Sequence, residues 1–280
     1  MGEWTADAVL AAAAAWAWVP PDAGQVLTDD YQLVSYPAHY NIAPVKVLWS
    51  RSSRPVGELI SEIAGYALAW GHTEVEWDIS AATRPAGTEA ELLSRDASLT
   101  LTVQILGYDM TGGMPALAMP PGVQTEIVSD EPGLWADQLV SSHVWGNGRE
   151  PSEADIAREL PKVTRGLADW SAFRVVGFVD GEPACTGGCT IVNRVAQFWG
   201  GATRPALRGR GAYRAILARR MAVAREHGAT LALVKGVVET SAPILRRIGF
   251  IPYGEERAYR VPLGPGGPGG PHAPVGPGGP

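Results

Sequence analysis

The stretch Thr203-Arg204-Pro205-Ala206-Leu207-Arg208-Gly209-Arg210-Gly211-Ala212-Tyr213 constrains this chain more than any other. An apolar run, residues 195–203, precedes it, and a run with helical periodicity, residues 211–227, follows and stops at Gly228. A strand that ends just before a helix leaves the first N–H groups of that helix unpaired at the positive end of its dipole. Two glycines there let a ligand come close to the backbone, so the stretch reads as an anion cradle, with Arg208 and Arg210 adding positive charge. A three-glycine dinucleotide fingerprint and a phosphate loop ending in Gly-Lys-Ser/Thr both require residues that this stretch lacks.

Strand and helix patterns alternate on both sides of the cradle. Ahead of it lie strands at 125–128, 173–179 and 184–192, with Asp180-Gly181 as a hairpin turn signal. Helical patterns cover 132–145 and 152–167, the second interrupted by Pro161. Behind it lie a strand at 231–238, a helix at 241–248 and a strand at 258–261. The amino-terminal part reads as strand 45–49, helix 57–70, strand 74–79, helix 89–96 and strand 99–106. This describes an α/β (α+β) protein with helices flanking a mixed sheet. Gly71-His72-Thr73-Glu74-Val75-Glu76-Trp77 after the first long helix parallels Gly228-Ala229-Thr230-Leu231-Ala232-Leu233-Val234 after the later one, a weak internal repeat that points to a duplicated architecture.

Pro115, Pro120, Pro121 and Gly122 break the pattern between the halves, which places domains at 1–115 and 121–264. Residues 265–280 are almost entirely Gly and Pro and are expected to be a disordered tail. With 46% hydrophobic residues among 280, two cores are feasible. A net charge of −6 argues against nucleic acid as a partner. The apolar run 8–19 is too short to span a membrane and has no Lys or Arg before it, so it reads as a packed helix and the chain as cytoplasmic. The two cysteines, Cys185 and Cys189, give neither a disulfide framework nor a metal site.

Through these residues the chain resembles the GNAT superfamily of acyl-coenzyme A-dependent N-acyltransferases. The resemblance is carried by Arg208-Gly209-Arg210-Gly211, by Thr203-Arg204-Pro205 before it, and by Ser241-Ala242-Pro243-Ile244-Leu245-Arg246-Arg247-Ile248-Gly249-Phe250 after it. It implies the GNAT fold, with a mostly antiparallel sheet, and acetyl-CoA as acyl donor. Gly201, Ala202 and Thr203 would pair with the pantetheine arm, and the amides of Gly209, Arg210, Gly211, Ala212 and Tyr213 would hold the pyrophosphate, with Arg208 beside them. An amine on a small molecule or peptide would attack the thioester directly in a ternary complex, and a strand N–H near Gly201 or Ala202 would meet the charge on the acyl oxygen. The equivalent amino-terminal stretch, Arg51-Ser52-Ser53-Arg54-Pro55-Val56-Gly57, has one glycine, which implies a degenerate copy in a monomer or homodimer.

The sequence departs from the family where an acid is expected. Many relatives carry Tyr four residues before the Gly of Gly-Phe, and Leu245 stands there instead. Tyr253 is near in sequence but suits core packing. For the base, the strand 195–203 has no carboxylate, and Glu239 at the end of the next strand is the nearest acidic candidate; its alternative role is a carboxylate at a helix entry. His143 reads as the packed end of a helix, and the two cysteines as small buried apolar residues on one strand face. Trp135, Trp145 and Asn147 indicate some aromatic lining for an acceptor, whose identity the sequence does not give. A second functional class fits the missing Tyr, namely a protein that keeps the coenzyme A cradle and has lost turnover.

Overall fold

The structure, a computed structural model, describes residues 4–264 apart from 41, 118 and 147. The Gly/Pro-rich segment 265–280 lies outside the described residues. Packing divides the chain into a larger unit, Met1–Ala13 with Gln104–Tyr253, and a smaller one, Ala14–Val103 with Gly254–Pro280. This differs from a sequential division at 115–121, for a topological reason. The strands β5 (Ser98–Asp109) and β11 (Ile251–Pro262) each begin in one unit and end in the other.

In the larger unit, α1 (Ala6–Ala14) buries Val9 and Ala13, and Trp4 Nε1 donates to Thr230 Oγ1 at 3.1 Å. The apolar start of the chain is thus a packed helix. Next come β6 (Val123–Ile127), α4 (Glu131–Trp145), α5 (Glu153–Ala168), β7 (Ala172–Val179), β8 (Glu182–Val192) and β9 (Val195–Thr203). They are followed by α6 (Ala212–Glu226), β10 (Leu231–Val237) and α7 (Ser241–Ile248). The sheet order is β6-β7-β8-β9-β10-β5, antiparallel from β6 through β9, with β10 parallel to β9.

Local chemistry accounts for the elements. Asp180 and Gly181 both have positive φ, 51° and 88°, as a two-residue hairpin turn requires. Asp130 caps α4 by accepting from Gly133 N at 2.9 Å. Ser152 and Asp155 form a capping box that starts α5. The expected break at Pro161 does not occur: α5 runs through it, because one lost hydrogen bond is outweighed by that cap and by an inner face that buries Ile156, Glu159, Val163 and Gly166. On the other face of the sheet, α6 buries Ala212, Ala215, Ile216 and Leu217 against Phe173, Val175, Cys185, Cys189 and Phe198.

The smaller unit repeats the same order. Its strands β1 (Gly24–Leu27), β2 (Tyr31–Ser35) and β3 (Val45–Ser50) are antiparallel neighbours. α2 (Val56–Ala69) then leads to β4 (Glu74–Ser80), which lies parallel to β3, and α3 (Thr88–Ser94) follows. β11 completes the sheet, antiparallel to β4 from Glu256↔Ser80 to Pro262↔Glu74. Tyr31, Leu33, Val47, Leu59, Ile63 and Trp77 fill its core. The succession β1-β2-β3-α2-β4-α3 matches β7-β8-β9-α6-β10-α7, so the architecture is duplicated. The described residues of the smaller unit include no counterpart of α4 or α5.

Candidate functional site

The site begins where β9 leaves β10. Their parallel pairing covers Val195–Phe198 of β9 and Leu231–Val234 of β10 and goes no further, although both strands continue. On the β8 side, the register slips between Thr186 and Gly188, and Gly200 adopts φ 60°. A bulge at Gly200 therefore turns β9 away from β10, and Trp199 to Thr203 present a strand edge toward the resulting opening.

The cradle follows directly. Gly209 and Gly211 have φ 78° and 83°, and Gly211 caps α6 without any side-chain bond to the first-turn amides. Those amides point outward at the positive end of the helix. A Cβ at Gly209 would meet nothing within 4 Å, whereas one at Gly211 would collide with the ring of Pro120. Backbone donors, a glycine-shaped surface and an open strand edge side by side fit a phosphate group with an extended amide-bearing chain.

The side chains of the cradle are less free than the sequence suggests. Arg210 is ion-paired with Asp180 in the β7–β8 turn. Arg208 Nε donates to the Thr203 carbonyl at 3.2 Å, and Arg204 Nη1 donates to the Pro183 carbonyl at 2.9 Å. Ala212 is buried, and Tyr213 is half-buried beneath Gly201, whose added Cβ would lie 3.1 Å from the ring. Burial pushes the Tyr213 phenol up, against the pull of nearby Arg220. Ala202 is buried opposite Thr186, and Thr203 Oγ1 donates to Cys185 Sγ at 3.2 Å. Glu239 lies in the exposed turn after β10, and its side chain makes no hydrogen bond or ion pair among the described residues.

On the α4 face, Asp137, Arg174 and Glu159 form a buried network that the sequence did not reveal. Arg174 donates to Asp137 Oδ2 at 2.9 Å and to Glu159 Oε2 at 2.8 Å, and Thr186 Oγ1 donates to Asp137 Oδ1. Trp199 packs over Gly188, where a Cβ would overlap its indole, and the Arg174 guanidinium lies 5.6 Å from the ring centroid. Trp145 stands over the bulge, 3.9 Å from where a Gly200 Cβ would be. Trp135 lies elsewhere, lining a cavity of about 330 Å³ with Glu126, Asp130, Phe178 and Pro183. His143 is exposed rather than packed, its Nδ1 bonded to the Leu139 carbonyl of its own helix at 2.9 Å. Leu245 is fully buried, and Cys185 and Cys189 are buried on the α6 face. Burial pushes the Cys185 thiol up to about 11 and raises that of Cys189 further.

The corresponding place in the smaller unit is built differently. There β3 and β4 pair at Lys46↔Glu76 and Val47↔Trp77, and beyond them the chain itself fills the gap. Arg84 N donates to the Ser50 carbonyl at 3.0 Å, and Arg51 bridges to Arg84. The helix that follows has Pro55 at its cap, and Arg54 is held by Glu62 at 2.6 Å and Asp30 at 3.4 Å.

No family model and no curated protein matches the sequence. Solved structures do match. A GCN5-related N-acetyltransferase from Kribbella flavida is 18% identical and has TM-score 0.62, over 88% of this chain and 90% of that one. One from Sphaerobacter thermophilus is 16% identical, TM-score 0.58, over 87% and 84%. A tandem GNAT protein from the clavulanic acid biosynthesis pathway is 16% identical, TM-score 0.59, over 89% and 86%. At these identities the likeness establishes the fold: the chain has the GNAT fold, along a length that takes in both units.

Proposed function

We propose that the larger unit is an acyl-coenzyme A-dependent N-acetyltransferase that moves an acetyl group from acetyl-CoA to an amine of a small molecule or peptide. The observation that carries this reading is the unpaired β9 edge running straight into a glycine-bracketed helix start. The acetyltransferase names of the similar structures agree with it.

In this reading the amides of Gly209 to Tyr213 hold the pyrophosphate, and the edge at Gly201, Ala202 and Thr203 holds the pantetheine amides. When bound, the donor supplies the thioester carbon that the amine nitrogen attacks; the N–C bond forms and the C–S pair leaves on sulfur. Glu239, in the turn that follows β10, takes the ammonium proton, directly or through water, whereas Asp137 already spends both oxygens on Arg174 and Thr186. Trp145 and Trp199 border the acceptor side. The smaller unit is a copy that holds no nucleotide, since its own Arg84 pairs with Ser50 and Arg51 at the end of β3 and Arg54 is tied to Glu62 and Asp30.

No described helix is long and apolar enough to cross a membrane. A cytoplasmic place with soluble acceptors is part of the proposal.

A second reading, a coenzyme A-binding protein without turnover, is favoured by one observation: Leu245 is sealed in the core where an acid would stand. Coenzyme release from acetyl-CoA across an amine library separates the two. Turnover that drops in Glu239→Gln supports the first, and tight binding with no release for any amine supports the second.

A further inference from the structure

Arg220, on the inner side of α6, is 1% exposed, and no acidic partner holds it among the described residues. Its Nη1 donates to the carbonyls of Gly188 at 3.1 Å and Trp199 at 3.5 Å. Its Nε has no hydrogen-bond partner, and the guanidinium lies 4.9 Å from the Phe198 ring centroid. The contrast with Arg174, which sits between two carboxylates, is sharp. Neighbours do not cancel the charge either, because burial keeps Cys185, Cys189 and Tyr213 protonated at neutral pH. A buried cation that meets carbonyl dipoles, the Phe198 ring and the Tyr213 hydroxyl, but no carboxylate among the described residues, is costly and calls for a function.

The chain makes room for it. A Cβ at Gly187 would lie 2.7 Å from Nη1, and one at Gly201 would lie 3.7 Å from Nη2. The guanidinium therefore sits directly behind the bulge at which β9 leaves β10. A trans peptide holds its N–H opposite its C=O. The Trp199 carbonyl turns toward α6 to meet Arg220, so the Gly200 amide at the other end of that peptide turns toward α4, the side on which Trp145 stands.

We propose that Arg220 is a positioning residue for acyl transfer: through the Trp199 and Gly188 carbonyls it fixes the bulge, polarises the Trp199–Gly200 peptide, and aims the Gly200 N–H at negative charge forming on the thioester along β9. Hydrogen bonds that share a peptide group strengthen one another in this way. The inference rests on the coenzyme A reading above.

Coenzyme A itself is the probe, with its thiolate absorbance titrated against pH in the full-length protein. The bound thiol ionises with a constant about tenfold larger in the wild type than in Arg220→Met, one pH unit of displacement. At low pH, where the thiol is protonated, the two proteins bind the coenzyme within about threefold of each other. Gly187→Ala pushes Nη1 off the carbonyls without altering any charge; it shifts the titration in the same direction and decides the matter if Arg220→Met does not fold. Equal thiol ionisation in the wild type and the folded variants overturns the inference, as does an equal loss of affinity at every pH. Failure of the wild type to bind coenzyme A overturns the reading on which it rests, and is seen without any variant.

Discussion

Gly209 and Gly211 have nearly the same backbone conformation and opposite surroundings, so replacing each with Ala separates strain from collision. Both have left-handed φ, 78° and 83°, where a side chain costs about 1–2 kcal/mol. At Gly209 nothing lies within 4 Å of the new Cβ, so that strain is the whole cost. At Gly211 the Cβ also runs into Pro120, and crowding of this kind adds about 1–3 kcal/mol. Since about 1 kcal/mol lowers Tm by roughly 2–4 °C in a unit of this size, Gly209→Ala loses a few degrees and Gly211→Ala about twice as many. Thermal unfolding followed by circular dichroism measures both. Equal Tm values for the two variants, or a smaller loss for Gly211→Ala, would refute the assignment of Pro120 as the packing partner of the helix start.

The remaining expectations concern the core around the site. Burial raises both thiols, so neither Cys185 nor Cys189 reacts with iodoacetamide in the native protein near neutral pH, and both react after denaturation; fast native labelling would contradict their placement. Burial alone would push the Glu159 carboxyl up, but Lys162 and Arg174 outweigh it and hold it below its ordinary value. A lowered folded pKa contributes stability that is present above the unfolded value of about 4.3 and is lost as pH falls through the folded one. The Tm gap between wild type and Glu159→Gln is thus full at neutral pH and narrows below about pH 4.3; a gap that does not change with pH would count against the network.

The backbone of the strand-to-helix turn was legible because its chemistry is local. Gly209 and Gly211 between a strand and a helix specify a backbone shape whatever the rest of the chain does, and β9 and α7 have the bounds that periodicity indicates. β1 and β2 were not legible: they are short, carry Gln25, Gln32 and Ser35, and pair across a turn without Gly. The exchange of β5 and β11 was also hidden, since strand patterning says which residues pair but not with which unit. In the site itself, Asp137 and Arg174 gave no local signal because they meet only across the fold. Arg220 did leave one: it falls between Ile216 and Ala224 at four-residue spacing on an otherwise apolar helix face.

The most direct test of the account is calorimetric titration of acetyl-CoA into the full-length protein, beside a variant with Gly209→Val and Gly211→Val together. The account predicts binding at a single site per chain, because the gap in the smaller unit is filled by its own residues, and loss of that binding in the folded variant. No binding by the folded wild type, or unchanged binding by the variant, would contradict it.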